Sequence, residues 1–137
     1  MTRLKKLRWN VNKNNNTSNT SGEFAEQCAS HFLQKKGLTY IEKNFHSRFG
    51  EIDLIMKEQN VLVFVEVKYR KNTLFGGAIS AISYKKQQKI IKTAAIYLQQ
   101  QQLNEYNTSY RFDVIAIEGS ISTIDESQIN WLKNAFN

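Results

Sequence analysis

The stretch "GEIDLIMKEQNVLVFVEVKYR", residues 50–70, sets Glu51 and Asp53, and then Glu66 and Lys68, inside runs of Ile, Leu, Val and Phe. Ionised groups are costly to take out of water unless they are paired or hold a metal. Carboxylates that converge at strand ends suit Mg²⁺ or Mn²⁺, hard cations that prefer oxygen ligands. Such an ion polarises phosphoryl oxygens, lowers the pKa of a water and orients in-line attack on a phosphodiester. A lysine beside it positions the water and stabilises charge on the scissile phosphate. The plainer alternative is a set of surface ion pairs, Glu66 with Lys68, and Glu51 and Asp53 with Lys57 or Lys68 across a hairpin. Two arguments favour the functional reading. "VLVFVEVK" is apolar on both faces before its Glu, as in a strand covered on both sides, and a buried ion pair adds little net stability.

The elements that must position these groups are readable from spacing. Phe24, Ala25, Cys28, Ala29, Phe32 and Leu33 recur at helical intervals and Gly37 gives a stop, which predicts a helix over about 22–36 with Glu26 on the border of its apolar stripe. Three strands follow, "LTYIEKNFH", "EIDLIMK" and "VLVFVEVKYR", the last two joined as a hairpin. Because side chains at i and i+2 share a face, Glu51 and Asp53 are expected to point together, as are Glu66 and Lys68. A second helix over about 79–102 carries Ile90, Ile91, Ala94, Ala95, Tyr97 and Leu98 on one side, with Gln87 inside that stripe and Lys86 at its border. "YRFDVIAIEG" reads as a further strand, "SISTID" as a short edge strand and "INWLKNAF" as a short helix or tail. The order α-β-β-β-α-β places helices on a mixed central sheet.

Asp53, followed after the hairpin by Glu66-Val67-Lys68, resembles the D…(D/E)xK signature of the PD-(D/E)XK nuclease superfamily. "GEIDLI" and "VFVEVKYR", then "KKQQK", "RFDV" and the terminal "NAF", resemble the YraN family of small bacterial proteins, regarded as endonucleases distantly similar to archaeal Holliday-junction resolvases. The resemblance covers about residues 22–136. It implies a restriction-endonuclease-like three-layer α/β core and a metal-dependent endonuclease acting on DNA, including structured or branched DNA. It further implies Asp53, Glu66 and the Val67 carbonyl as ligands of Mg²⁺ or Mn²⁺, and Lys68 as the residue that orients the nucleophile. Glu26 matches the family's helix glutamate, a further catalytic and metal-binding candidate, although Ala25 stands where the family typically has Gly. Gln87 falls where the superfamily carries a supporting polar residue, and either that role or a capping hydrogen bond explains it. Arg48, Arg70, Lys71 and Lys86 are the candidates for nucleic-acid backbone contacts, which fix register without reading sequence. A catalytically silent nucleic-acid-binding module on the same fold is the alternative function.

Composition sets the remaining bounds. A chain of 137 residues suits one domain. The net charge of +7 is concentrated in Arg3, Lys5, Lys6, Arg8 and Lys13; without these five, 14 basic residues face 12 acidic ones. Residues 1–20, Asn-rich from residue 10 onward, read as a flexible basic arm before a single domain over 21–137. No run is long and apolar enough to span a bilayer, and the start lacks the apolar core of a secretory signal, so the expected location is cytoplasmic, without a membrane partner. The lone Cys28 falls on an apolar helix face and reads as core, and His31 and His46 as surface or packing residues. Arg111 and Asp113 share a strand face and are expected to pair, and Gly76-Gly77 reads as a hinge or lid. The similarity to junction resolvases, which cut two strands symmetrically, implies by analogy a two-fold homodimer.

Overall fold

The computed structural model describes residues 20–71, 82–120 and 124–137. The expected N-terminal arm (apart from Thr20), the Gly76-Gly77 hinge and the middle of "SISTID" lie outside the described residues. Helix α1 (Thr20–Lys35) is followed by strands β1 (Thr39–Ser47), β2 (Gly50–Glu58) and β3 (Val61–Arg70), helix α2 (Tyr84–Gln100) and strand β4 (Tyr110–Glu118). A 3₁₀ turn (Glu126–Gln128) leads into strand β5 (Ile129–Phe136). The result is a mixed α/β protein with two helices on a five-stranded mixed sheet of order β1-β2-β3-β4-β5. No helix among the described residues is long and apolar enough to cross a membrane.

The helices form where periodicity and caps agree. In α1, Ala25, Cys28, Ala29, Phe32 and Leu33 are buried at helical spacing. The helix ends where Gly37 takes φ +100, and the Leu38 N–H bonds the Leu33 carbonyl while the Gly37 N–H bonds that of Gln34. That pairing satisfies the last carbonyls, and Leu38 joins Leu33 in the core. Helix α2 is capped by Ser83, whose hydroxyl accepts the Lys86 N–H at 3.1 Å.

The sheet is covered on both faces. Strands β1, β2 and β3 run antiparallel in succession, β3 and β4 are parallel, and β5 returns antiparallel to β4. Alternation on β3 sends Val63 and Val65 to the α1 side and Leu62 and Phe64 to the α2 side. Cys28 lies in the α1-side core, where burial pushes its thiol up to about 11. His31 and His46 are exposed, as expected.

The C-terminal segment is a strand, correcting the short helix or tail expected for "INWLKNAF". What fixes it is tertiary. Asp113, fully buried on β4, accepts the Trp131 Nε1–H at 2.9 Å and the Asn134 backbone N–H at 2.9 Å. Phe136 stacks on Phe112 with ring centroids 5.1 Å apart. A register shift between Phe112 and Val114 and a left-handed Asn134 (φ 52) break the alternation that would have marked the strand in sequence.

Candidate functional site

The acidic residues of β2 and β3 meet where the two strands part. Their ladder runs from Glu58–Val61 to Leu54–Val65 and goes no further. Beyond it the Asp53 carboxylate stands between the strands, and its Oδ2 accepts the Val67 N–H at 2.8 Å. Glu66, next on β3, is buried and follows Phe64 towards the α2 side. There its Oε1 meets Lys86 Nζ at 2.6 Å and Lys68 Nζ at 3.7 Å.

The expectation that Glu51 and Asp53 point together is corrected. Ile52 packs in the α2-side core and Leu54 in the α1-side core, although a regular strand would put both on one face. The break coincides with Asn44 on β1, which takes a left-handed φ of 53 between the pairs Lys43–Leu54 and Phe45–Ile52. Asparagine tolerates that conformation better than other non-glycine residues. The twist separates the acids, so that Asp53 turns to the Val67 amide and Glu66 while Glu51 faces outward. With its amide oriented for hydrogen bonding, Asn44 donates to Glu26 Oε2 at 3.0 Å and to Glu51 Oε1 at 2.9 Å. Glu51 also approaches His46, Oε2 to Nδ1 3.8 Å.

Electrostatics follow from this crowding. Burial, then the neighbouring Glu66 carboxylate, pushes the Asp53 carboxyl up to about 8, against the partial relief of the Val67 N–H. Lys68 is pulled below the ordinary lysine range, first by burial and then by the adjacent Lys86. Burial also pulls on Lys86, but its hydrogen bonds to Glu66 and Lys68 outweigh that and hold its ammonium above the usual range. Glu26 is raised by its own burial and by Glu51, with Asn44 acting in the opposite direction.

The structure thus brings together Asp53, Glu66, Val67 and Lys68 from the sequence-derived set. Glu26 is electrostatically coupled to Asp53 from the α1 side. Among the described residues no three Asp, Glu, His or Cys side chains form one ion-holding group, so the carboxylate pair is Asp53 with Glu66 alone. Gln87 is half-buried and its Nε2 donates to the Ile82 carbonyl at 3.2 Å, the capping bond that accounts for an inward glutamine. Lys86, a candidate for nucleic-acid contacts, is half-exposed and has its ammonium on Glu66. Arg48, Arg70 and Lys71 are exposed, and all three lie at the end of the sheet where β2 begins and β3 ends. The Arg48 guanidinium rests 4.8 Å from the Phe49 ring centroid. Arg111 and Asp113 pair as expected, Nε to Oδ1 3.0 Å.

Asn44 and the Lys86–Glu66 pair were not foreseen from the sequence. An asparagine midway along an otherwise good strand, where that residue is disfavoured, is the one available signal for the first. The second depends on where α2 docks.

Fold and site together define a mixed α/β protein whose sheet holds a carboxylate pair, half-buried Asp53 and buried Glu66, beside two lysines. The chain belongs to the uncharacterised protein family UPF0102, whose profile matches residues 25–117. It is 52% identical over 130 residues to a UPF0102 protein of Colwellia psychrerythraea, covering 93% of this chain and 98% of the relative. It is 50% identical over 117 residues to one from Shewanella denitrificans, covering 85% and 99%. A Legionella pneumophila relative is 47% identical over 115 residues, covering 84% and 92%.

Proposed function

We propose that this chain is a divalent-metal-dependent endonuclease that hydrolyses phosphodiester bonds in DNA, including structured or branched DNA, on a restriction-endonuclease-like core of the PD-(D/E)XK type. The observation that carries the reading is the pairing of half-buried Asp53 with buried Glu66, and Lys68 two residues beyond Glu66 on the same strand. Two adjacent carboxylates, one of them raised to about 8, form an all-oxygen donor set that fits Mg²⁺ or Mn²⁺, an ion that would share Glu66 with Lys86 and Lys68.

Asp53 and Glu66 would hold the ion, with the Val67 carbonyl as the third ligand that the family resemblance implies. Once bound, the ion supplies polarisation of the phosphoryl oxygens and an activated water. Lys68 Nζ, 3.7 Å from Glu66 Oε1, orients that water and stabilises charge on the scissile phosphate. The Val67 N–H holds Asp53 in place through Oδ2. Arg48, Arg70 and Lys71 bind backbone phosphates and set the register of the DNA. A two-fold homodimer would present two such sites to opposite strands.

A second reading, a catalytically silent DNA-binding module, draws support from the 2.6 Å Lys86–Glu66 pair, which neutralises the central carboxylate without an ion. The deciding experiment is cleavage of labelled linear, flapped and four-way DNA with Mg²⁺ or Mn²⁺. Asp53→Ala and Lys68→Ala are expected to lower the rate at least about 100-fold. Lys68→Ala should leave DNA affinity nearly unchanged. Intact binding with no cleavage by wild type selects the silent module.

A further inference from the structure

A groove of about 400 Å³ runs between α1 and β1, with Asn44 and Glu26 in its lining. Its helical wall is one face of α1, with Glu23, Glu26, Gln27, Ser30, His31 and Gln34. Tyr40, Lys43 and Asn44 of β1 form the opposite wall, and Leu54 lies among the lining residues. Two irregularities shape that strand wall. A register shift between Tyr40 and Glu42 lets Tyr40 and Lys43, which regular alternation would send to opposite faces, line the same groove. The left-handed Asn44, whose amide faces Glu26 and Glu51, is part of the same wall.

The lining selects a ligand class. Glu23 and Glu26 oppose a phosphate, and Lys43 is the only cation among the lining residues. Tyr40, 40% exposed, offers an aromatic face, while Leu54, 1% exposed, only touches the groove from the core. Gln27, Asn44 and His31 offer donors and acceptors. A flat, uncharged ring with hydrogen-bonding edges meets these demands, and the volume suits one such group.

We propose that the groove between α1 and β1 receives an unpaired nucleobase of a DNA single strand, while the neighbouring phosphodiester lies over the Asp53–Glu66 pair. This rests on the nuclease reading and deepens it. Glu26 links the two places, since it lines the groove and acts electrostatically on Asp53. Substrates with a displaced or frayed strand are then preferred over intact duplex.

The test is metal-free binding of the full chain, by fluorescence anisotropy, to three probes of equal length: a single strand, the same strand with abasic positions, and a blunt duplex. Wild type is expected to bind the single strand about 5–100-fold more tightly than the abasic strand, the range of one stacked base. Tyr40→Ala, and Gln27→Trp as a variant that fills the groove from an exposed helix position, should each remove most of that difference without weakening abasic binding. Circular dichroism and melting confirm that both variants fold. Equal affinity for base-bearing and abasic strands, or variants that behave as wild type, overturns the proposal. Because no cleavage is read, loss of the groove proposal leaves the nuclease reading standing, and absence of cleavage leaves a base preference measurable.

Discussion

Asp53 is a carboxyl whose proton the folded state holds much more tightly than the unfolded chain does, with its pKa raised from an ordinary 3.8 to about 8. Between those values the native state binds more protons than the unfolded state, so this group makes stability fall as the pH rises from about 4 to about 8. Asp53→Asn removes the charge while keeping the shape. In metal-free protein at pH 8.5 it should melt about 5 °C higher than wild type and lose much of the decline between pH 5 and 8.5, as read by calorimetry. A variant that melts lower at pH 8.5 would show that Asp53 is not under charge strain. Lys86 is the internal counter-ion of the same site. Lys86→Met is expected to tighten Mn²⁺ binding roughly 5–10-fold by calorimetric titration, since the ion no longer competes with an ammonium for Glu66 Oε1. Weaker binding would mean that Lys86 supports the ion's site and does not block it. At this scale the sequence displayed Asp53, Glu66 and Lys68, because charged residues in apolar strands are conspicuous. It concealed the parting of Glu51 from Asp53, because one left-handed Asn44 on the neighbouring strand overrides the two-residue alternation.

Elements with strong local periodicity were legible, and those held by distant partners were not. Helix α1, the β2–β3 hairpin, α2 and β4 follow their apolar spacing to within a few residues, with α2 beginning at Tyr84 and ending at Gln100. Strand β5 follows nothing local. It is anchored through Asp113, which also accepts Arg111 Nε and Nη2 at 3.0 and 3.2 Å, so its two oxygens serve three residues. Removing that carboxylate leaves the Trp131 N–H and a largely buried guanidinium without their shared acceptor. Asp113→Ala should cost about 3–5 kcal/mol in urea denaturation, and hydrogen exchange over 129–136 should accelerate beyond the global change. A cost below about 1 kcal/mol would show that aromatic stacking alone seats β5.

Across the whole molecule, the candidate site depends on the middle of the sheet: Glu66 and Lys68 belong to β3, which has neighbours on both sides. The parallel pairing of β3 with β4, from Leu62–Tyr110 to Arg70–Glu118, joins residues 48 positions apart, with α2 in between. The antiparallel neighbours β2 and β3, by contrast, close across a turn between Glu58 and Val61. Bringing β3 and β4 together therefore loses the most chain entropy before any contact repays it, and it sets the tempo of folding. Refolding should be slow for a chain of this size. Ile115→Val in β4 should retard it, whereas Ile129→Val in β5 should mainly hasten unfolding, a contrast that stopped-flow chevrons would resolve or reverse. Until that closure, β3 carries Glu66 and Lys68 on an open edge, so the chemistry-bearing strand becomes a protected interior only when β4 arrives.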